Sequence, residues 1–156
     1  MLSSIVAIVL IGTLSVNAQA KESVSGSGLG GLPGDIPTLF SFNVTSNSEG
    51  TVGDFECFAV MPDGMTMYVN GTVTNLDISE DNGSAAIMGP ATVTGFGAGK
   101  GTYVANVTSG GPGIGTLNLT TDVNGDGKQA SLPDGSEGPF LEKIVKGFIL
   151  INPPKT

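Results

Sequence analysis

The fold of this chain is decided by residues 76–87, LDISEDNGSAAI, in which two short apolar runs flank an Asn-Gly pair. Leu76 and Ile78 flank the polar residue Asp77 before the pair, and Ala85 and Ile87 repeat the two-residue spacing after it. Period-two alternation is typical of a strand with one buried face, and Asn-Gly is a dipeptide that tight hairpin turns favour. The stretch therefore predicts an antiparallel β-hairpin.

The same alternation continues on both sides of this hairpin, and turn-forming residues separate the segments. Between Val73 and Leu76 the apolar residues change from odd to even positions, which predicts a bulge or a bend. Nowhere do apolar residues recur at helical spacing over three turns. We therefore expect residues 38–156 to form an all-β domain, an antiparallel sandwich or barrel of about seven or eight strands. The alternating positions are Phe40, Phe42 and Val44; Phe55, Cys57 and Ala59; Met65, Met67 and Val69; Ala91 and Val93; Tyr103, Ala105 and Val107; and Leu117 and Leu119.

The last strand is unusual because residues 144–151 carry apolar side chains on both of its predicted faces. Val145, Ile149 and Ile151 share one parity, and Phe148 and Leu150 share the other. A strand that is apolar on both faces is central in a sheet or covered by another element. Two interpretations follow: a closing strand in the middle of a sandwich, or an assembly surface that a neighbouring subunit covers.

The chain begins with features of export. An apolar run over residues 2–14 is followed by Ala18-Gln19-Ala20, which fits a signal peptide cleaved after Ala20. The alternatives are an uncleaved anchor or the assembly helix of an archaeal pilin, but the run is short and interrupted for a membrane span. Residues 21–37 are rich in Gly and Ser, which predicts a linker or an exposed arm. We expect a secreted protein, found outside the cell or on its surface, without stable membrane insertion once the leader is removed.

Composition excludes several classes of function. The chain has no His, Arg or Trp and a single cysteine, Cys57. A Ser-His-Asp or Cys-His nucleophile is therefore impossible, and so is an imidazole-bound metal. The formal net charge of −8 repels nucleic acid. Cys57 is in phase with Phe55 and Ala59, so we expect an unreactive thiol in the core.

Part of the chain resembles a known module. Residues 71–74 read GTVT, residues 91–95 read ATVTG, and residues 101–113 read GTYVANVTSGGPG. With the Asn-Gly turn, this stretch resembles the post-choice-of-anchor type of β-rich domain found in secreted and surface bacterial proteins. The resemblance implies an antiparallel β architecture and an extracellular location, and it supplies no established activity. The chain departs from that pattern at residues 109–111 and in its long loop at residues 124–139.

One loop carries the first half of a calcium-binding pattern. Residues 122–128 read DVNGDGK, which places side-chain oxygens at loop positions 1, 3 and 5 and Gly at position 6. Pro133 stands where the pattern has a bidentate Glu, so Asp134 or Glu137 has to complete the shell. The alternative is that the two glycines only form tight turns. The predicted Ca²⁺ ligands are Asp122, Asn124, Asp126, the backbone carbonyl of Lys128, Asp134 and Glu137.

Three other groups of residues are candidate sites. Glu80 and Asp81 fit a solvated hairpin tip, and Asp54 and Glu56 share a strand face with the spacing of a glycosidase carboxylate pair. Five Asn-x-Ser/Thr sequons are candidate glycosylation sites if the source organism glycosylates its secreted proteins. They begin at Asn43, Asn70, Asn82, Asn106 and Asn118.

These patterns favour a non-catalytic extracellular module with a structural or adhesive role, whose partners are itself, other cell-surface proteins or glycans. A calcium-dependent ligand-binding domain is the first alternative; Tyr68 and Tyr103 are the candidate aromatic residues for its groove. A filament subunit that exchanges strands through the arm at residues 21–37 is the second. A glycoside hydrolase based on carboxylates is the least favoured.

Overall fold

A computed structural model describes residues 21–32, 36–61, 63–123, 125 and 140–154. The described chain contains no α-helix, and no helix in it is long and apolar enough to cross a membrane. Its nine strands are β1 Glu22–Leu32, β2 Ile36–Asn47, β3 Gly50–Val60, β4 Thr66–Thr72, β5 Asn75–Ile78, β6 Ser84–Gly95, β7 Gly99–Thr108, β8 Thr116–Val123 and β9 Phe140–Asn152.

All strand pairs are antiparallel, and the sheet closes on itself. The order is β4-β3-β2-β1-β9-β8-β7-β6, and β4 pairs again with β6 to complete an eight-stranded barrel. The ninth strand, β5, pairs with the first half of β6 outside this ring. The predicted all-β antiparallel fold is confirmed, and of the two predicted architectures the barrel is the one found.

The hairpin and the predicted bend are both present. β5 pairs with β6 from Ile78 opposite Ala85, and Asn82 in the turn has a left-handed backbone with φ 57°. Between β4 and β5 the chain leaves β3 and continues along β6: the Val73 amide donates to the Gly53 carbonyl, and the Thr74 amide donates to the Met88 carbonyl. The change from odd to even apolar positions marks the point where the chain leaves β3.

The structure differs from the linker or arm predicted at residues 21–37. Glu22–Leu32 is β1, which pairs along its length with β2 on one side and with β9 on the other. Its glycines suit the crowded interior: a Cβ on Gly26 would lie 2.5 Å from Phe42 Cζ, and one on Gly30 would lie 2.5 Å from Glu142 Oε2. Strand exchange with a neighbour would therefore require β1 to leave its own barrel.

Side chains of the barrel wall fill the interior. Phe42 stacks on Phe55 with ring centroids 6.2 Å apart, and Phe55 stacks on Tyr103 at 4.8 Å. Aliphatic residues from every barrel strand surround these rings. Cys57 belongs to this core as a free thiol, as predicted.

The last strand, β9, forms part of the barrel wall and is not buried on both faces. Ile144 pairs with Gly30 and Lys146 pairs with Leu29, so Val145 is an extra residue in a β-bulge. The bulge changes the parity of the strand, which places Ile144 and Ile149 together inside the barrel. Val145, Phe148 and Leu150 point outward and are 63%, 48% and 52% exposed.

Candidate functional site

A hydrogen-bonded polar centre lies inside the barrel, and β9 supplies its carboxyl group. Glu142 is only 2% exposed. The Thr38 hydroxyl on β2 donates to Glu142 Oε2 at 2.5 Å, and the Cys57 thiol on β3 donates to Oε1 at 3.4 Å. The backbone brings the three together because Thr38 and Cys57 lie on neighbouring strands, and Gly30 between Thr38 and Glu142 has no side chain.

Burial controls the protonation of this centre. Removal from water raises the pKa of Glu142, and the hydrogen bonds from Thr38 and Cys57 oppose that rise only in part. Burial and the neighbouring Glu142 raise the pKa of the Cys57 thiol well above its ordinary value. A thiol that stays protonated is a poor nucleophile, so this centre lacks the thiolate that cysteine chemistry requires.

The space beside Glu142 is very small. A cavity of about 10 Å³ is lined by both Cys57 and Glu142, with apolar walls that include Met61, Met67 and Phe140. This volume is at the lower limit for a single water molecule. The centre can therefore store a proton, but it has no room for a substrate in this conformation.

Sequence reasoning missed Glu142, although the signal was present. Glu142 has the same parity as Phe140 and Ile144, and both of those residues face the core. An acid in phase with a buried strand face is the expected mark of an inward carboxyl group. The apolar run that marks this strand in the sequence begins at Ile144, two residues after Glu142.

Asp122 is the one predicted calcium ligand in the described chain. It lies near the end of β8, opposite Thr102. Gly125 follows it in a left-handed conformation with φ 66°. The other predicted ligands, Asn124, Asp126, Lys128, Asp134 and Glu137, lie outside the described residues. Within the described part, no three acidic or cysteine side chains cluster as metal ligands. The calcium site stays a prediction.

The remaining acidic candidates lie on the surface. Asp81 accepts hydrogen bonds from the Ser79 hydroxyl at 2.5 Å and the Gly83 amide at 3.0 Å, which lower its pKa at the hairpin tip. Asp54 and Glu56 project outward from β3, and Glu56 accepts a hydrogen bond from the Tyr68 hydroxyl at 2.9 Å. Asp54 lines a shallow groove on this face together with Asn43 and Thr72.

The two tyrosines do not line a common groove. Tyr68 is on the outer face of β4, whereas Tyr103 is buried in the barrel against Phe55. Burial, and secondarily the charge of Asp54, raises the pKa of Tyr103. Its hydroxyl and that of Thr121, its cross-strand partner, have no hydrogen-bond partner within the described residues.

A polar groove of about 350 Å³ runs over the outer face of β5 to β8. Hydroxyl, amide and carboxyl groups line it, and the Oδ1 atom of Asn118 is buried in it without a partner in the described chain. Asn106 and Asn118 are direct cross-strand neighbours here. The other sequon residues, Asn43, Asn70 and Asn82, are exposed elsewhere. The polar groups of the groove are Asp77, Ser79, Ser84, Asn106, Thr108, Thr116 and Asn118.

No protein-family model, curated protein or solved structure matches this chain. The resemblance to the post-choice-of-anchor type of domain therefore stays a prediction.

Proposed function

We propose that this chain is a non-catalytic extracellular module that acts through the outside of its barrel, in a structural or adhesive role. The observation that carries the proposal is the filled interior. Stacked aromatic rings occupy the middle of the barrel, and about 10 Å³ remains beside its buried carboxyl group. A barrel packed in this way serves as a rigid scaffold, so its contacts with other molecules are made by its surface.

The test separates the interior from the surface. Two sets of variants are expressed in the source cells: Glu142→Gln with Cys57→Ala inside the barrel, and Asn106→Ala, Asn118→Ala or Phe148→Ser outside. We expect surface changes to reduce retention of the protein on cells or matrix, and folded interior variants to be retained like the wild type. Thermal melting identifies the variants that are folded.

An enzyme would give the opposite result. Turnover of an extracellular polysaccharide by the purified protein, abolished in Glu142→Gln or in Asp54→Asn with Glu56→Gln, would refute the proposal. Each of these substitutions removes a carboxylate and preserves the size of the side chain.

The polar groove supports a second candidate, a ligand-binding domain for a polyhydroxyl molecule such as a glycan. The exposed amide of Asn106 and the neighbouring hydroxyls can hydrogen-bond such a ligand. A glycan attached to Asn106 or Asn118 would occupy the same groove. Glycosylation there and ligand binding are therefore mutually exclusive, and glycan-array binding by unglycosylated wild type, lost in Asn106→Ala, is the expected result.

A further inference from the structure

Two outward faces of the barrel combine exposed apolar side chains with opposite charges. The β9 face is apolar and cationic: it consists of Leu141, Lys143, Val145, Lys146, Phe148 and Leu150, all exposed. The β3 face is anionic: the exposed acids Asp54 and Glu56 lie in its middle, and the exposed Val52 and Val60 lie toward its two ends. Exposed apolar side chains grouped with charges are typical of protein interaction surfaces.

The charges on the β9 face are free to meet a partner. Within the described residues, neither Lys143 nor Lys146 has a carboxylate within ion-pair distance. They are conspicuous in a chain with a net charge of −8 and only six lysines. An apolar patch carrying two ammonium groups attracts an anionic partner.

The β3 face offers exposed apolar side chains and the opposite charge. Val52 is 66% exposed, and with Asp54 it lines a groove of about 590 Å³ whose other walls include Asn43, Thr45 and Thr72. The hydrogen bonds that Glu56 accepts come from the uncharged groups of Tyr68 and Asn70, so they leave its negative charge available.

We infer that the β9 face of one copy of this chain docks on the β3 face of the next copy. The charges favour this contact over a symmetric two-fold contact. Docking the β9 face of one copy on the β9 face of another would bring four ammonium groups together. Likewise, β3 against β3 would bring four carboxylates together. Only the heterologous contact pairs lysines with carboxylates while burying apolar side chains on both sides. This inference rests on the proposed structural role and names its partner.

The positions of the two faces allow the contact to repeat. In the barrel wall, β2 and β1 lie between β3 and β9, so the faces point in different directions. One copy can therefore use both faces at once. A heterologous contact that repeats in this way builds an open filament, or a ring if the rotation closes. No strand leaves its own barrel in this mode of assembly, unlike in strand exchange.

The test is sedimentation of the secreted, unglycosylated chain at low and high salt. Glycans are avoided because Asn43 lines the β3 groove. We expect the average mass of the wild type to rise beyond a dimer with concentration, and to fall at high salt. Lys143→Glu with Lys146→Glu should be monomeric, and so should Asp54→Lys with Glu56→Lys.

Exchanging the charges of the two faces is the decisive experiment. Mixing the two monomeric variants, or combining all four substitutions in one chain, restores opposite charges across the contact and should restore assembly. Lys100→Glu and Glu80→Lys are the controls, because each reverses one charge of the same kind at an exposed position, on β7 and in the turn between β5 and β6. Both should assemble like the wild type.

Several results would overturn the inference. These are a wild type that stays monomeric at all concentrations, assembly that stops at a dimer, or charge variants that behave like their controls. Monomers would leave the β9 face to a different partner, and the non-catalytic module would stand. Turnover of a substrate would instead refute the proposed function without changing the sedimentation result. Circular dichroism checks folding, and the four-substitution chain tests the contact even if one double variant is unstable.

Discussion

At the scale of single residues, Glu142 links stability to pH. Its pKa in the folded protein is raised above the ordinary value of 4.5, so the folded state holds this proton more tightly than the unfolded state. Folding stability from this group is therefore fully present below pH 4.5 and is lost as the pH rises through the folded pKa. We expect Glu142→Gln to melt at a higher temperature than the wild type above that pKa.

The comparison of the two melting curves across acidic and neutral pH isolates Glu142, because the other carboxyl groups are the same in both proteins and the pKa of Cys57 lies well above this range. The difference in melting temperature should shrink as the pH falls and should vanish below 4.5, where the wild-type carboxyl is protonated in both states. A difference that is constant with pH would mean that Glu142 is not the group responsible.

A second residue-scale prediction concerns Gly71, which lies against the ring of Tyr103. A Cβ at this position would be 2.5 Å from Tyr103 Cε1 and 3.1 Å from the Pro90 carbonyl oxygen. Gly71→Ala should therefore lower the free energy of unfolding by about 1–3 kcal/mol, the usual cost of overpacking a core. Gly31→Ala is the control, since its Cβ would meet only Val145 at 3.7 Å. Urea denaturation measures both, and equal stabilities would contradict the prediction.

At the scale of elements, β1 is a strand of the barrel wall, although its composition is typical of a linker. Deleting residues 21–34 removes the strand between β2 and β9, exposes core residues such as Phe42, and leaves two unpaired strand edges. We expect the shortened chain to lose its cooperative thermal transition. A synthetic peptide of residues 21–34 should restore it in part, because it supplies the missing strand. A deletion variant that melts like the wild type would place β1 outside the barrel wall.

Period-two alternation was sufficient to predict most strands, because each barrel strand has one face in the core and one face in solvent. Alternation failed to predict two features, because each depends on how the backbone packs against neighbouring strands. Four glycines make Glu22–Leu32 look like a linker, yet at Gly26 and Gly30 the missing side chains are what the packed interior requires. At Val145 a single bulged residue reverses parity, so alternation assigned Ile144 and Ile149 to opposite faces. Neither the strand at Glu22–Leu32 nor the bulge at Val145 can be predicted without the pairing of the neighbouring strands.

The same limit applies to the polar centre and the outer faces. Thr38, Cys57 and Glu142 are widely separated in sequence, and only the register of β1, β2, β3 and β9 brings them together. The apolar character of β9 was evident from the sequence. Its division into a buried side and an exposed cationic side depends on the closure of the barrel.

At the scale of the whole molecule, the net charge of −8 complicates any test for calcium. Every added cation screens the repulsion between carboxylates and so stabilises an acidic fold to some extent. A specific site adds a saturable gain of about 2.7 kcal/mol at a hundredfold excess of ligand over its dissociation constant. We predict that Ca²⁺ raises the melting temperature well beyond an equal concentration of Mg²⁺, because the predicted loop offers the larger oxygen shell that Ca²⁺ prefers.

The excess shift with Ca²⁺ should vanish in Asp122→Ala and in Asp126→Ala, and should persist in Asp77→Ala, which removes an exposed carboxylate from β5. The shift on adding metal is the quantity to compare, since Asp122→Ala also removes interactions of Asp122 that exist without metal. If Ca²⁺ and Mg²⁺ act alike in all four proteins, screening accounts for the whole effect. The glycines of residues 124–127 then serve only to turn the chain after β8.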